Sequence, residues 1–168
     1  LGKDGAKLSK RHGSQTIAEF KQEGYLSDAI CNYLALLSWA PRDGREIFNI
    51  WDVVESFSIP NISKSPAIFD TDKLNWINGN HIREKSTEDI FKLVMPFVAN
   101  SDILSNAGTA GSEILNTLEA GISEDDLARF KRGADALRDK MHLLADFPVL
   151  MKDYLTEHIQ SFQSEAAD

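Results

Sequence analysis

Lys7-Leu8-Ser9-Lys10-Arg11-His12-Gly13 brings together, near the start of the sequence, the groups that handle phosphate. Two lysines flank a small hydroxyl residue, an arginine follows, and glycines stand at Gly5 and Gly13. The pair Asp4-Gly5 ahead of the run is a tight-turn signal. Lysine ammonium groups meet charge that develops on a transferring phosphoryl group, and a backbone freed by glycine brings its amides close to phosphate oxygens. The seven residues alone leave a solvated basic turn as the other reading.

A second set of cations lies between residues 129 and 140. On one continuous helix Arg129, Arg132 and Lys140 would fall close together, away from an apolar stripe formed by Leu127, Phe130, Ala134, Leu137, Met141 and Leu144, with Lys131 and Arg138 on the stripe's other flank. Two readings remain open there: a solvated face balanced by Asp135 and Asp139, or contact with RNA phosphates or a base edge. Trp39, Trp51 and Trp76 each sit in or beside an apolar run and are expected in the core. Asn78, Asn80 and Arg83 surround Gly79 and are candidates for RNA contact, although helix termination alone explains the glycine.

The elements that must carry these groups read as helices. Ser14–Lys21 and Leu26–Trp39 are expected helices broken at Gly24, the second apolar nearly all round and therefore the centre of its module. Asn49 caps a short helix with Ile50, Val53, Val54 and Phe57 inward, Ser58–Pro66 is loop, and Asp70 caps a helix that Gly79 ends. Ser86 and Asp89 resemble a capping box before Ile90, Leu93, Val94 and Phe97. Residues 100–112 read as loop. A helix over 113–120 stops at Gly121, Ser123 and Asp126 open the long helix, and a last one from Pro148 turns Val149, Leu150, Tyr154, Leu155 and Ile159 inward. The end from Gln163 to Asp168 is expected to fray.

Composition narrows the class. A chain of 168 residues with 42% hydrophobic content can build one or two small cores. Nothing approaches the roughly 18 consecutive apolar residues needed to cross a bilayer, so no membrane association is expected. The single cysteine, Cys31, excludes an internal disulfide and agrees with a reducing cytoplasm, and four scattered histidines without a Cys-x-x-Cys pair give no metal site. Residues 1–85 carry eleven Lys and Arg against eleven Asp and Glu, whereas residues 86–168 carry seven against fifteen, so the whole net charge of −8 lies in the second half. That step puts a boundary near Arg83–Ser86, and an acidic half argues against a sequence-independent nucleic-acid binder.

Further segments carry a resemblance. Gly24-Tyr25-Leu26, the run from Ala29 to Trp39, Lys64-Ser65-Pro66-Ala67, Phe69-Asp70 and Lys73-Leu74-Asn75-Trp76-Ile77-Asn78-Gly79 follow the lysine loop in order. Together they resemble bacterial-type glutamyl-tRNA synthetase, of the class I aminoacyl-tRNA synthetases, closely from Leu1 to about Glu84 and more loosely to about Leu155. Lys7-Leu8-Ser9-Lys10-Arg11 then corresponds to that family's second signature, usually Lys-Met-Ser-Lys-Ser. The first signature, His-x-Gly-His, is absent, and the sequence opens at Leu1, so the resemblance implies a fragment beginning just ahead of the loop.

The resemblance implies a mainly α fold in two parts. Residues 1–84 would be the stem-contact module with the lysine loop, and 85–168 the first, helical part of the anticodon-binding domain. The parent enzyme would activate glutamate with ATP and Mg²⁺ and attach it to tRNA(Glu). Lys10 would be catalytic, acting on the pentavalent α-phosphate and departing pyrophosphate, with Lys7, Leu8, Ser9 and Arg11 completing the ATP-binding loop. Arg132, Arg138 and Lys140 would approach the tRNA. Lys140 aligns with the position near the last anticodon base and Arg138 stands beside it; a lysine lacks the planar fork with which arginine discriminates. The chain would be a monomer with no bound cofactor or metal, inactive without the missing nucleotide-binding domain. The alternative is a standalone helical RNA- or protein-binding module.

Overall fold

The structure is a computed structural model that describes residues 1, 2, 16–99, 101 and 124–154. Among them there is no strand and the regular elements are all helices; the chain divides into two compact units, Leu1–Glu84 and Lys85–Asp168. The sequence readings for residues 100–121, for Ser14, Ser123, Leu155 and Ile159, and for the C-terminal end fall outside the described residues.

In the first unit, α1 (Ile17–Glu23) starts at a reciprocal cap. The Thr16 hydroxyl accepts from Glu19 N–H at 3.2 Å and the Glu19 carboxylate accepts from Thr16 N–H. It ends at Gly24, whose φ of 95° belongs to the left-handed region where a side chain would be strained. Two residues later α2 (Ser27–Leu36) begins. It stops short of the expected Trp39 in a tightened turn, where Ser38 N–H bonds the Ala35 carbonyl three residues back at 3.2 Å and Trp39 N–H closes on the same carbonyl at 2.9 Å. The turn drops the Trp39 ring against Phe48, 6.2 Å between centroids, in a small core with Val53. Nor is α2 buried all round: Ala29, Ile30, Asn32 and Tyr33 point inward while Cys31 and Leu34 face solvent.

Asn49 caps α3 (Ile50–Val53) as its type suggests, accepting from Trp51 N–H at 3.0 Å. After Val53 the chain tightens into a 3₁₀ turn, Val54–Ser56, which rotates Val54 and Phe57 out of the inward face expected for them. A second 3₁₀ turn, Ile59–Asn61, precedes extended chain that leads to Asp70, which caps α4 (Thr71–Glu84) through Asp72 and Lys73 N–H at 2.9 and 3.2 Å.

The expected stop at Gly79 does not occur, and α4 runs on for five more residues. A mid-helix glycine costs about 1 kcal/mol relative to alanine, and the fully buried Ile77 and Ile82 on either side of it, together with His81, outweigh that. Trp51 and Trp76 also depart from expectation. Trp51 is 79% exposed, because it lies on the outward side of a one-turn helix; Trp76 is half-exposed with the Lys73 ammonium 4.1 Å above its ring, an arrangement that stabilises an aromatic face left near water.

Two buried amides join the helices. Asn78 Oδ1 accepts from Leu26 N–H at 2.8 Å and its Nδ2 donates to the Gly24 carbonyl at 3.4 Å, so α4 stitches the α1–α2 junction. Its burial leaves it no surface role. Asn32, fully buried, donates through Nδ2 to the Glu46 carbonyl at 3.0 Å while Oδ1 accepts from Phe48 N–H at 3.1 Å. That orientation makes Oδ1 the acceptor for His81 Nε2 at 2.9 Å, so Nε2 carries the proton.

In the second unit, Ser86 heads α5 (Thr87–Ala99), accepting from Asp89 N–H at 3.1 Å and donating its own hydroxyl to the Asp89 carboxylate at 2.7 Å. The Asp89 carboxylate meets the Ser86 hydroxyl, a variant of the reciprocal capping box. Ile90, Val94, Met95 and Val98 form the buried stripe of α5, packed on α6 (Glu124–Leu137).

The long helix expected to continue to Leu144 ends at Leu137. Residues Arg138–Lys140 form a 3₁₀ turn, Met141–Leu143 are not helical, and a further 3₁₀ turn, Leu144–Asp146, leads into α7 (147–154). The Asp146 carboxylate receives His142 and Leu143 N–H at 2.9 and 2.8 Å, which satisfies the backbone where the helix is interrupted. Met141 and Leu144 still reach the core, but from turns. In α7 the inward residues are Phe147 and Met151, while Val149 is exposed against expectation. Gly133 admits that packing, since a Cβ there would lie 2.6 Å from the Met151 Sδ and Cε.

Two stability tests follow. Asn32→Leu keeps the volume but strands the Phe48 N–H and the Glu46 carbonyl, and is expected to cost about 2–4 kcal/mol in urea unfolding. The Glu19 carboxyl is held below its ordinary value of 4.5 by the hydrogen bonds from the Thr16 backbone and then its side chain. A lowered folded-state pKa contributes stability above the unfolded value and loses it as pH falls through the folded one. Wild type should therefore exceed Glu19→Gln in unfolding midpoint at neutral pH, with the gap closing below about pH 4.

Candidate functional site

The phosphate-handling run Lys7, Leu8, Ser9, Lys10 and Arg11, with His12, lies outside the described residues. The nearest described residues on either side are Gly2 and Thr16, and the described chain on each side contacts Phe69. On the N-terminal side the Leu1 backbone nitrogen donates to the Ala67 carbonyl at 2.7 Å and the Leu1 carbonyl accepts from Phe69 N–H at 2.8 Å, the pattern of a parallel pairing opposite Ile68. On the C-terminal side the capped α1 carries Phe20, buried, with its ring 6.1 Å from that of Phe69.

Phe69 is thus bonded to one flank through its backbone and packed on the other through its ring. Aromatic contacts hold it there. The Tyr33 ring meets Phe69 edge to face at 5.2 Å, and Phe20 meets Tyr25 in the same way at 5.2 Å. The Tyr33 hydroxyl accepts from Asp70 N–H at 2.6 Å; burial, the largest influence on it, raises its pKa from 10.0 and keeps it a neutral hydroxyl. Tyr25 O–H donates to Asn75 Oδ1, which joins the end of α1 to α4. In the sequence Phe69-Asp70 stands out only as a matching segment; nothing in residue type or spacing shows that it meets both Leu1 and Phe20, because those contacts span 68 and 49 residues of chain.

Beside this frame, a groove of about 370 Å³ is lined by Tyr33, Leu36, Leu37 and Ile68 together with Glu46 and Lys73. Its charges are engaged: Lys73 pairs with Glu46, Arg45 with Asp43 at 3.0 Å, and the Asp70 carboxylate accepts the first backbone N–H groups of α4. Among the described residues no group of three or more His, Cys, Asp or Glu side chains converges as a metal site, and no helix is long and apolar enough to cross a membrane.

In the second unit the helix that would have aligned Arg132 with Lys140 ends at Leu137, and Arg138, expected on the other flank, stands on the turn that follows. Arg132 is exposed on α6 and Lys140 is exposed on the following 3₁₀ turn. Arg138 is folded inward, 20% exposed at its side chain: Nη2 donates to Asp135 Oδ1 at 2.6 Å and to Thr87 Oγ1 at 2.8 Å, while the Thr87 hydroxyl donates to the same carboxylate oxygen at 2.7 Å. This triangle closes the start of α5 onto the end of α6. Its Nε is buried without a hydrogen-bond partner among the described residues. Lys131 pairs with Glu88 at 2.8 Å, and that hydrogen bond is the main reason the Glu88 carboxyl is held below its ordinary range. Of the basic set, Arg132 and Lys140 offer charge to solvent, whereas Arg138 and Lys131 serve the unit's own packing.

Comparison with known proteins agrees with this architecture. Residues 1–76 match the family described as tRNA synthetases class I (E and Q), catalytic domain. The chain is 34% identical to a glutamate–tRNA ligase of Treponema denticola over 90% of its own length and 31% of the relative's. Against the glutamate–tRNA ligase of Borreliella afzelii it is 45% identical over 82% of its length and 27% of the relative's. A crystal structure of a glutamate tRNA ligase from Elizabethkingia meningosepticum, in complex with its amino acid, superposes with a TM-score of 0.63 at 21% identity, covering 88% of this chain and 29% of that one. The chain spans about 30% of the length of the curated relatives it matches. With sequence likeness running through both units and a fold shared with a solved glutamate tRNA ligase, the chain is similar to a segment of the glutamate–tRNA ligases, and its first 76 residues match the class I (E and Q) tRNA synthetase family.

Proposed function

We propose that this chain works as the segment of a glutamate–tRNA ligase that carries the lysine loop and leads from the tRNA stem toward its anticodon. In this reading residues 1–84 are the stem-contact module and 85–168 the first helical part of the anticodon-binding region. The observation that carries the reading is the meeting at Phe69 of the described chain on either side of Lys7–Arg11, in a chain whose relatives are glutamate–tRNA ligases. A phosphate-handling loop needs fixed ends if its cations are to sit where charge develops.

The chemistry assigned to the loop is electrostatic. Glutamate's carboxylate attacks the α-phosphorus of ATP, an anhydride bond to pyrophosphate breaks, and negative charge grows on the pentavalent centre and the leaving group. Lys10 faces that charge with its ammonium, and Lys7, Leu8, Ser9 and Arg11 complete the loop that holds the phosphates. Mg²⁺ arrives with ATP as part of the substrate. The glutamate and adenosine pockets belong to the nucleotide-binding domain of the same ligase, and the glutamyl group of the resulting adenylate is transferred to tRNA(Glu) by a cytoplasmic, monomeric enzyme.

In the second unit Arg132 and Lys140 are assigned to RNA phosphates. Arg138 is assigned first to holding α5 on α6, with its outer guanidinium edge the part left for RNA. Lys140 is the residue placed nearest the anticodon, where its point charge attracts phosphate or base without the two-point geometry of arginine.

In a full-length ligase carrying this segment, Lys10→Ala is expected to lower glutamate-dependent pyrophosphate exchange by about 100-fold or more, with tRNA affinity little changed. A rate within about threefold of wild type would remove Lys10 from the mechanism. For the second unit, neutralising Arg132 and Lys140 together should weaken tRNA binding and lower the slope of log affinity against log salt by up to about two, one for each phosphate that no longer meets a cation. An unchanged slope in filter-binding titrations would return both residues to the solvated surface.

A further inference from the structure

Trp51, Val54, Phe57 and Ile59 lie within nine residues of chain and are 79%, 54%, 49% and 75% exposed. The first three recur at intervals of three through α3 and the 3₁₀ turn Val54–Ser56, a spacing that brings them to neighbouring positions on one face. Phe57 N–H bonds the Val53 and Val54 carbonyls at 3.0 and 3.3 Å, so the winding reaches the third of them. Val53, out of that phase, is 2% exposed and belongs to the core with Trp39 and Phe48. The Phe57 ring lies 5.7 Å from that of Trp39, which ties the outward face to the core beneath it. Single exposed apolar side chains are ordinary, whereas four so close together form the kind of surface that another body covers.

Charge decides what kind of body. From Glu46 to Ser63 the sequence holds three carboxylates, Glu46, Asp52 and Glu55, and no lysine or arginine. RNA phosphates would meet repulsion along this segment and no cation of its own, so the occupant is protein. The family described as the class I (E and Q) catalytic domain matches residues 1–76 and so takes in this face, while the chain spans about 30% of the length of its relatives. Apolar side chains that belong to a catalytic domain and face water in one piece of it are interior in the whole. We propose that the face formed by Trp51, Val54, Phe57 and Ile59 is the docking surface for the rest of the catalytic domain of the same ligase. The inference deepens the reading of this chain as a segment of a glutamate–tRNA ligase and rests on it. The occupant's matching surface is apolar with basic residues at its edge, where Asp52 and Glu55 meet them.

The test is hydroxyl-radical footprinting of the full-length ligase, read by mass spectrometry with and without tRNA(Glu) and over a range of protein concentration. Oxidation of Trp51 and Ile59 is expected to be at least about fivefold slower than in a synthetic peptide of residues 46–63, without tRNA and at every concentration, because the core of an interface excludes water. Protection that appears only with tRNA would give the face to RNA, protection that grows with concentration would give it to a second copy, and full reactivity throughout would leave it bare. Each of these overturns the inference. The double substitution Trp51→Glu with Ile59→Glu supplies a second measurement. Both positions face water in this chain, so its own core is undisturbed, whereas in the full-length ligase the new carboxylates would enter an apolar interface beside Asp52 and Glu55. Limited proteolysis of the variant is expected to run about tenfold faster than that of wild type, and an unchanged rate would also overturn the inference. Glutamate-dependent pyrophosphate exchange by the same preparations separates the two claims: an active ligase with a reactive face loses the inference and keeps the function, whereas a protein that does not activate glutamate loses the function whatever its footprint.

Discussion

A buried amide must have all its hydrogen bonds met, and the first unit is arranged around that requirement at Asn32. With no water to turn to, its nitrogen can only donate to Glu46 and its oxygen can only accept from Phe48 and His81. These three bonds fix where the chain after α2 returns, how α4 is rotated about its axis, and which nitrogen of His81 carries its proton. Once α4 is rotated that way, Asn78 falls on the α1–α2 junction and Tyr33 falls beneath Phe69. The frame around Phe69 is thus downstream of a single satisfied side chain. Apolar packing supplies most of the unit's stability, but it tolerates rotation more readily than a directional bond does.

The second unit solves a different problem. It carries the chain's excess acid, and two of its cations are drawn onto carboxylates: Arg138 to Asp135, Lys131 to Glu88. The Arg138 bond network links the first turn of α5 to the last turn of α6, where a guanidinium also favours the negative end of the helix dipole. A basic residue near a proposed RNA surface is therefore not automatically an RNA contact. What separates Arg132 and Lys140 from Arg138 is exposure, a property that only the folded chain reveals.

Local signals are legible in the sequence. Gly24, Asn49 and Asp70 terminate or cap the helices their types imply, because a cap involves partners two to four residues away. The mainly helical fold is equally legible from periodicity, whereas the reading of Lys7–Arg11 as a phosphate-handling loop rests on composition together with the resemblance, and its residues lie outside those described. What is not legible depends on distant chain. Gly79 stays inside α4 because Ile77, His81 and Ile82 are buried by helices some fifty residues earlier. The apolar period from Leu127 to Leu144 survives a break at Leu137 because turns can present Met141 and Leu144 to the same core. Trp51 reads as core by type and is exposed by geometry. The meeting of Leu1 and Phe20 at Phe69 has no sequence signature beyond its place in a matching segment.

The distribution of the three tryptophans has an optical consequence. Trp39, Trp51 and Trp76 all lie in the first unit, and the second has none. Indole emission therefore reports on residues 1–84 alone, whereas peptide circular dichroism reports on both units in proportion to their helix. Within the first unit the three indoles differ in their surroundings: Trp39 is enclosed, Trp51 is bathed in solvent, and Trp76 lies under an ammonium group. Only Trp39 is set to shift strongly in colour on unfolding, so a single aromatic side chain in the Phe48–Val53 core acts as the chain's native fluorophore for one half, and loss of ellipticity without a change in that colour marks the melting of the other.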